Sequence, residues 1–150
     1  MLSRLETAPV HDARRPRPDD LDALAALMFS SYRGTVDYTG ESIEDARREI
    51  EKTFAGAHGI FLPQHSYVVE RGPSLASASL ITRPGIWPLL AFAMTAPSWK
   101  RTGLARATIK NVMNDLFEAG DTRLDLVVNP QNEAAVALYV DLGFVATVDR

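Results

Sequence analysis

The chain has 150 residues, 46% of them hydrophobic, the length and apolar content of one domain (residues 1–150) around a single core. Its formal net charge of -3 argues against broad attraction to nucleic acid or an anionic membrane, and the lack of cysteine excludes disulfides, thiolate nucleophiles and cysteine-ligated metals. His11, His58 and His65 have no metal-ligand spacing, Met1–Arg17 holds no apolar signal-like run, and no stretch approaches the roughly 20 apolar residues of a membrane span; a metal-free cytoplasmic protein is expected.

In chain order, Val10–Arg17 reads as a short strand, and Pro18-Asp19-Asp20 opens a helix whose Leu21, Leu24, Ala25, Met28 and Tyr32 recur at helical spacing up to Gly34. Ser42 and Asp45 form a capping pattern for a second helix, striped by Ile43, Ala46, Ile50 and Phe54 and stopped by Gly56. Ser66–Glu70 and Leu75–Thr82 read as strands joined by a turn over Arg71–Ser74. Pro88–Thr95 is apolar at successive positions, the pattern of a central strand covered on both faces.

A third helix is expected over Leu104–Ala119, ended by Gly120, and a strand over Thr122–Val128. Asn129-Pro130 then suggests the cap and start of a fourth helix, with Ala135, Leu138, Tyr139 and Leu142 on one face and Gly143 as its stop, before a last strand over Phe144–Val148. Strands and helices mixed in this way indicate an α/β domain.

The segment that carries chemistry is the strand running into Lys100-Arg101-Thr102-Gly103-Leu104-Ala105 and then a helix. Helix starts leave N–H groups unpaired, the dipole makes that end positive, and Gly103 lets the backbone approach an anion. Alone, such a loop is equally well a solvated connection. Asn129, Asn132 and Tyr139 form a second group around the next helix, where each also has a plain structural reading as a cap or a core aromatic.

Together the two segments resemble the GNAT superfamily of N-acetyltransferases. Lys100–Ala105 matches its phosphate-binding pattern of Gln or Arg, two residues, Gly, one residue, and Gly or Ala, with Lys100 where Arg or Gln is usual. Asn129–Phe144 resembles its Asn…Ala…Leu-Tyr…Gly-Phe segment closely. The resemblance implies a GNAT-type acyltransferase fold: a central mixed β-sheet, helices on both faces, and a splay between two parallel inner strands, here Pro88–Thr95 and Thr122–Val128.

It further implies acetyl-CoA as acyl donor and an amine as acceptor. Met94, Thr95 and Ala96 would meet the pantetheine arm, the N–H groups of Arg101, Thr102, Gly103, Leu104 and Ala105 with Lys100 the pyrophosphate, and Asn129 and Asn132 would orient the donor. Tyr139 would be the general acid. The inner strand carries no carboxylate, so the base is sought in the loop between the first two helices, at Asp37 or Glu41, ahead of Glu70 and Asp125. Tyr32, Tyr38 and Trp87 are candidate pocket aromatics. Two other classes remain open at this point: an acetyl-CoA-binding sensor without turnover, and an interaction scaffold. The acceptor and the oligomeric state, a homodimer included, are not legible.

Overall fold

The computed structural model describes Leu2 and residues 13–147. The first strand, β1 (Ala13–Arg14), is shorter than expected, and Val10 to Asp12 lie outside the described residues. Arg14 reaches the buried Asp20 with two hydrogen bonds of 2.8 and 2.9 Å, while Arg17 N–H donates to the same carboxylate at 2.6 Å. The guanidinium holds the Asp20 carboxyl below the usual carboxylate range. This fixes the turn that leads into α1 (Leu21–Tyr32).

α2 (Ile43–Phe54) starts at the expected capping box: Asp45 N–H donates to Ser42 Oγ at 3.1 Å, and Ser42 N–H donates to the Asp45 carboxylate at 2.9 Å. Leu24, Leu27 and Met28 of α1 pack with Ala46 and Ile50 of α2 on one face of the sheet, against Val68 and Leu80. Each large aliphatic side chain so buried contributes about 1.5–3 kcal/mol.

The sheet comprises β1, β2 (Ile60–Phe61), β3 (Tyr67–Arg71), β4 (Ser74–Arg83) and β5 (Leu89–Thr95), with every strand pairing antiparallel. β3 and β4 form the expected hairpin over Gly72-Pro73. The central strand is β4, not β5. Every residue from Leu75 to Thr82 is buried, Leu80 packing under α1 and α2 and Ile81 under α3 (Leu104–Glu118). β4 reads as less apolar than β5 because its covered positions include serines; Ser77 resolves its burial by donating to Met94 O at 3.1 Å.

Three other expectations are corrected. Thr122–Val128 forms no strand: it makes one parallel bridge, with Leu90 N–H donating to Asp125 O at 2.8 Å and Asp125 N–H to Pro88 O at 3.0 Å. The register of β5 on β4 jumps from Leu80↔Phe92 to Ile81↔Leu90, so Ala91 is a bulge. A bulge shifts the alternation of backbone groups, so the ladder to residues 126–128 cannot continue beyond Leu90. That bridge makes the sheet mixed, and the parting beyond it is the splay.

α4 spans Glu133–Asp141 and is capped by Asn132, whose Oδ1 accepts from Ala135 N–H at 3.2 Å. Asn129, expected as the cap, instead closes a local turn by accepting from Gln131 N–H at 2.9 Å. No strand forms over residues 144–147, and Val148 lies outside the described residues. Phe144 N–H is taken by Tyr139 O at 2.9 Å and Gly143 N–H by Val140 O at 3.0 Å, with Gly143 at φ 97°; this Schellman closure of α4 holds the start of that segment against the helix. Among the described residues no helix is long and apolar enough to cross a membrane.

Candidate active site

Where β5 and residues 126–129 separate, a cleft of about 610 Å³ opens. One wall is Leu90 to Ala93 of β5, another is α1, the loop after it and α2, and the third is Asn129, Asn132 and Tyr139. Volumes of this order suit small ligands. The cleft exists because the bulge at Ala91 ends a ladder that would otherwise fill it.

Tyr139 lies in the third wall, its ring edge-on to Phe144 with centroids 5.8 Å apart. The Schellman closure brings these two residues together. Burial, and then the charge of Asp37, push the Tyr139 phenol above its ordinary value. Asp37 is held from the opposite side of the cleft by Asn132 Nδ2, which donates to its Oδ2 at 3.1 Å. Tyr32 of α1 joins them, its phenol also raised, by burial first and then by Tyr139, Asp37 and Glu49. Among the described residues neither phenol oxygen has a hydrogen-bond partner. The arrangement is two protonated phenols beside a carboxylate with one unused oxygen.

The structure thus brings together Asp37, Asn132 and Tyr139 from among the residues singled out in the sequence, with Asn129 in the same wall. Glu41 lines the cleft, but both its oxygens accept from Thr39, through the backbone N–H at 3.0 Å and the hydroxyl. Glu70 and Asp125 lie outside the cleft, engaged by Arg14 and Arg123 at 2.7 and 2.6 Å. Trp87 is also outside it, under the Arg123 guanidinium. Glu49, missed in the sequence, stands in the α2 wall with its Oε1 2.6 Å from His58 Nε2. Its signal was weak: a glutamate four residues after Asp45 on a charged helix face.

On β5, Thr95 N–H donates to Ser31 Oγ at 3.2 Å and Ala96 N–H to Ala76 O at 2.8 Å. Because strand N–H groups alternate between edges, Met94 faces β4 and Ala93 faces the open edge. Ala93 is therefore the main-chain donor that β5 presents to the cleft.

The loop after β5 turns through Arg101 at φ 64° and Gly103 at φ 82°, then enters α3. A left-handed conformation at a non-glycine residue costs about 1–2 kcal/mol, so the turn at Arg101 is specified by its surroundings. Among the described residues no side chain caps α3, and a Cβ at Gly103 would meet nothing within 4 Å, so its first-turn N–H groups front open space. Arg101 is exposed beside it. Lys100 is directed elsewhere, donating to Ser31 O at the end of α1 at 2.9 Å, and Thr102 Oγ1 donates to Trp99 O at 2.6 Å. Arg106 pairs with Asp141, tying α3 to α4. An uncapped helix start with open space before it and a cation alongside fits a diphosphate.

The sequence profile of the Acetyltransferase (GNAT) family matches residues 30–144. The chain belongs to the GNAT acetyltransferase family. Among curated GNAT relatives, the [ribosomal protein bS18]-alanine N-acetyltransferase of Escherichia coli is 42% identical over 55 residues, 36% of this chain and 37% of the relative. The match thus spans little more than a third of that relative's length. The crystal structure of the ribosomal-protein-S18-alanine N-acetyltransferase from Escherichia coli superposes with a TM-score of 0.72 at 19% identity, covering 91% of this chain and 78% of that one. A GNAT family acetyltransferase from Brucella melitensis, solved in complex with acetyl-CoA, gives 0.67 at 19%, covering 89% and 82%. These likenesses establish the GNAT fold, with its mixed sheet and helices on both faces.

Proposed function

We propose that the protein transfers the acetyl group of acetyl-CoA to a primary amine. The observation that carries this reading is the cleft opened by the bulge at Ala91, with the unpartnered Tyr139 phenol in its wall and an uncapped, glycine-led helix start at the far end of the same strand. Acetyl-CoA, when bound, supplies the thioester carbonyl that an amine can attack. The N–H groups from Arg101 to Ala105 would hold its diphosphate, and the open edge of β5 its pantetheine arm.

An aliphatic amine is protonated at neutral pH, with a pKa around 10, and must lose a proton before it attacks. Asp37 is the base in this reading, since its Oδ1 has no partner among the described residues and Asn132 fixes its other oxygen. The Ala93 N–H, aimed at the open edge, stabilises the negative charge that develops on the carbonyl oxygen. Tyr139 gives its proton to the departing sulfur. Its raised pKa keeps that proton in place at neutral pH. Positioning amine and carbonyl at about 3 to 3.5 Å supplies several kcal/mol more. A cytoplasmic setting, as expected from the sequence, fits a coenzyme A donor.

Thiol release with a panel of amines, beside isothermal titration with acetyl-CoA, tests the reading. Tyr139→Phe is expected to lower kcat about a hundredfold while donor affinity stays within about threefold. Equal turnover would remove Tyr139 from the mechanism. Binding of acetyl-CoA without turnover of any amine would leave a sensor in place of an enzyme.

A further inference from the structure

The acceptor is the unassigned half of the reaction, and the α1–α2 wall has a definite chemistry. Among the described residues, Asp37, Glu41, Asp45 and Glu49 face the cleft against Arg48 and Lys52 alone. Arg48 is matched by Asp45, and both oxygens of Glu41 are taken up by Thr39. Two carboxylates are left with one free oxygen each: Asp37, held by Asn132, and Glu49, held by His58. Tyr32 lines the same cleft, half-buried and, among the described residues, without a hydrogen-bond partner on its phenol, which is raised by burial first and then by Tyr139, Asp37 and Glu49. Phe29 and Phe92 complete an aromatic lining, and the His58 ring meets Phe92 edge-on at 5.8 Å.

Aromatic faces beside carboxylates recognise organic ammonium groups, through the ring quadrupole and charge-assisted hydrogen bonds. One carboxylate suffices for the amine that reacts, yet the cleft offers two. Building on the acetyltransfer reading, we propose that the acceptor is a small aliphatic diamine or polyamine: one amine reacts between Asp37 and Tyr139 while Glu49 binds a second ammonium. His58 acts as a positioning residue for Glu49. Lys52, one turn beyond Glu49 on α2, also lines the cleft and forms no ion pair among the described residues.

The experiment compares 1,4-diaminobutane with butylamine, by thiol release and by isothermal titration into the full chain. Wild-type protein is expected to favour the diamine at least tenfold in kcat/KM, through KM, with the same order in direct binding. Glu49→Gln should bring that ratio to within about twofold of unity by raising the diamine KM, with kcat for the diamine changed by less than a factor of three. His58→Asn should lower the ratio about threefold. Thermal melts within a few degrees of wild type check that both variants fold. Equal turnover of the two amines by the wild type, or a ratio that Glu49→Gln leaves unaltered, would overturn the diamine assignment while the acetyltransfer reading stands. Failure to turn over every amine, with acetyl-CoA still bound, would overturn both.

Discussion

The start of α3 and the wall formed by α1 and α2 are built by different means. At α3 the features are main-chain features: a left-handed Arg101, a left-handed Gly103, and a helix start that no side chain closes. At the wall they are side chains, one pair brought together across 95 residues, Asn132 on Asp37, and another seating the start of α1 from six residues away, Arg14 on Asp20. The two regions meet at Ser31, which receives Thr95 N–H on its hydroxyl and Lys100 on its carbonyl. A site made of backbone depends on local conformation, whereas a site made of side chains depends on how the helices are seated.

Seating the wall wrongly should therefore have the largest effect on stability. Asp20→Asn breaks an ion pair whose carboxylate side chain is 7% exposed and whose guanidinium is 27% exposed. Removing one partner of a fully buried pair costs about 3–5 kcal/mol; with the arginine partly in water, about 2 kcal/mol is expected from urea unfolding at pH 7. The sign with pH follows from the lowered Asp20 pKa. Its contribution is complete above the ordinary carboxylate value near 4 and is lost as pH falls through the lowered native value, so the stabilities of the two proteins should converge at acid pH. A constant gap down to pH 2 would mean that another interaction seats α1.

The backbone region should answer in binding. Gly103→Val puts a branched side chain at φ 82° and into the open space before α3, and about a tenfold weaker affinity for acetyl-CoA is expected by titration. Unaltered affinity would locate the diphosphate elsewhere and erase the contrast between the regions. The smallest effect belongs to a local feature within the wall. Ser42→Ala removes one half of the α2 capping box and should cost about 1 kcal/mol, read as a fall of a few degrees in Tm.

The same division explains what could be read in advance. α1, α2 and α3 emerge at nearly their expected bounds because Ser42, Gly34, Gly56 and Gly120 are local signals. The stretch 122–128 has strand composition but forms none, since a ladder needs a partner in register and the bulge at Ala91 withdraws it; nothing in Leu89–Thr95 announces that bulge. At the start of α4 both asparagines carry cap chemistry, and the chain uses Asn129 for a turn and Asn132 for the helix. Helical spacing puts Asn132 and Tyr139, two turns apart, on one side of the helix, whereas Asp37 is placed beside them only by the resemblance. Glu49 and His58 meet only because the chain reverses after α2, where Gly56 at φ 97° and Ala57 N–H on Lys52 O send it back along the helix.

α4 has no fully buried residue, yet it carries Tyr139 in its final turn. Its grip on the domain comes from partly covered side chains, the Arg106–Asp141 contact and its own closing turn. Segments so lightly anchored open at lower free energy than the core. Warming should then loosen α4 ahead of the apolar core, and the protein would fall catalytically silent while its circular dichroism still reported a native chain. The upper working temperature would be set by one short helix and not by the melting of the whole.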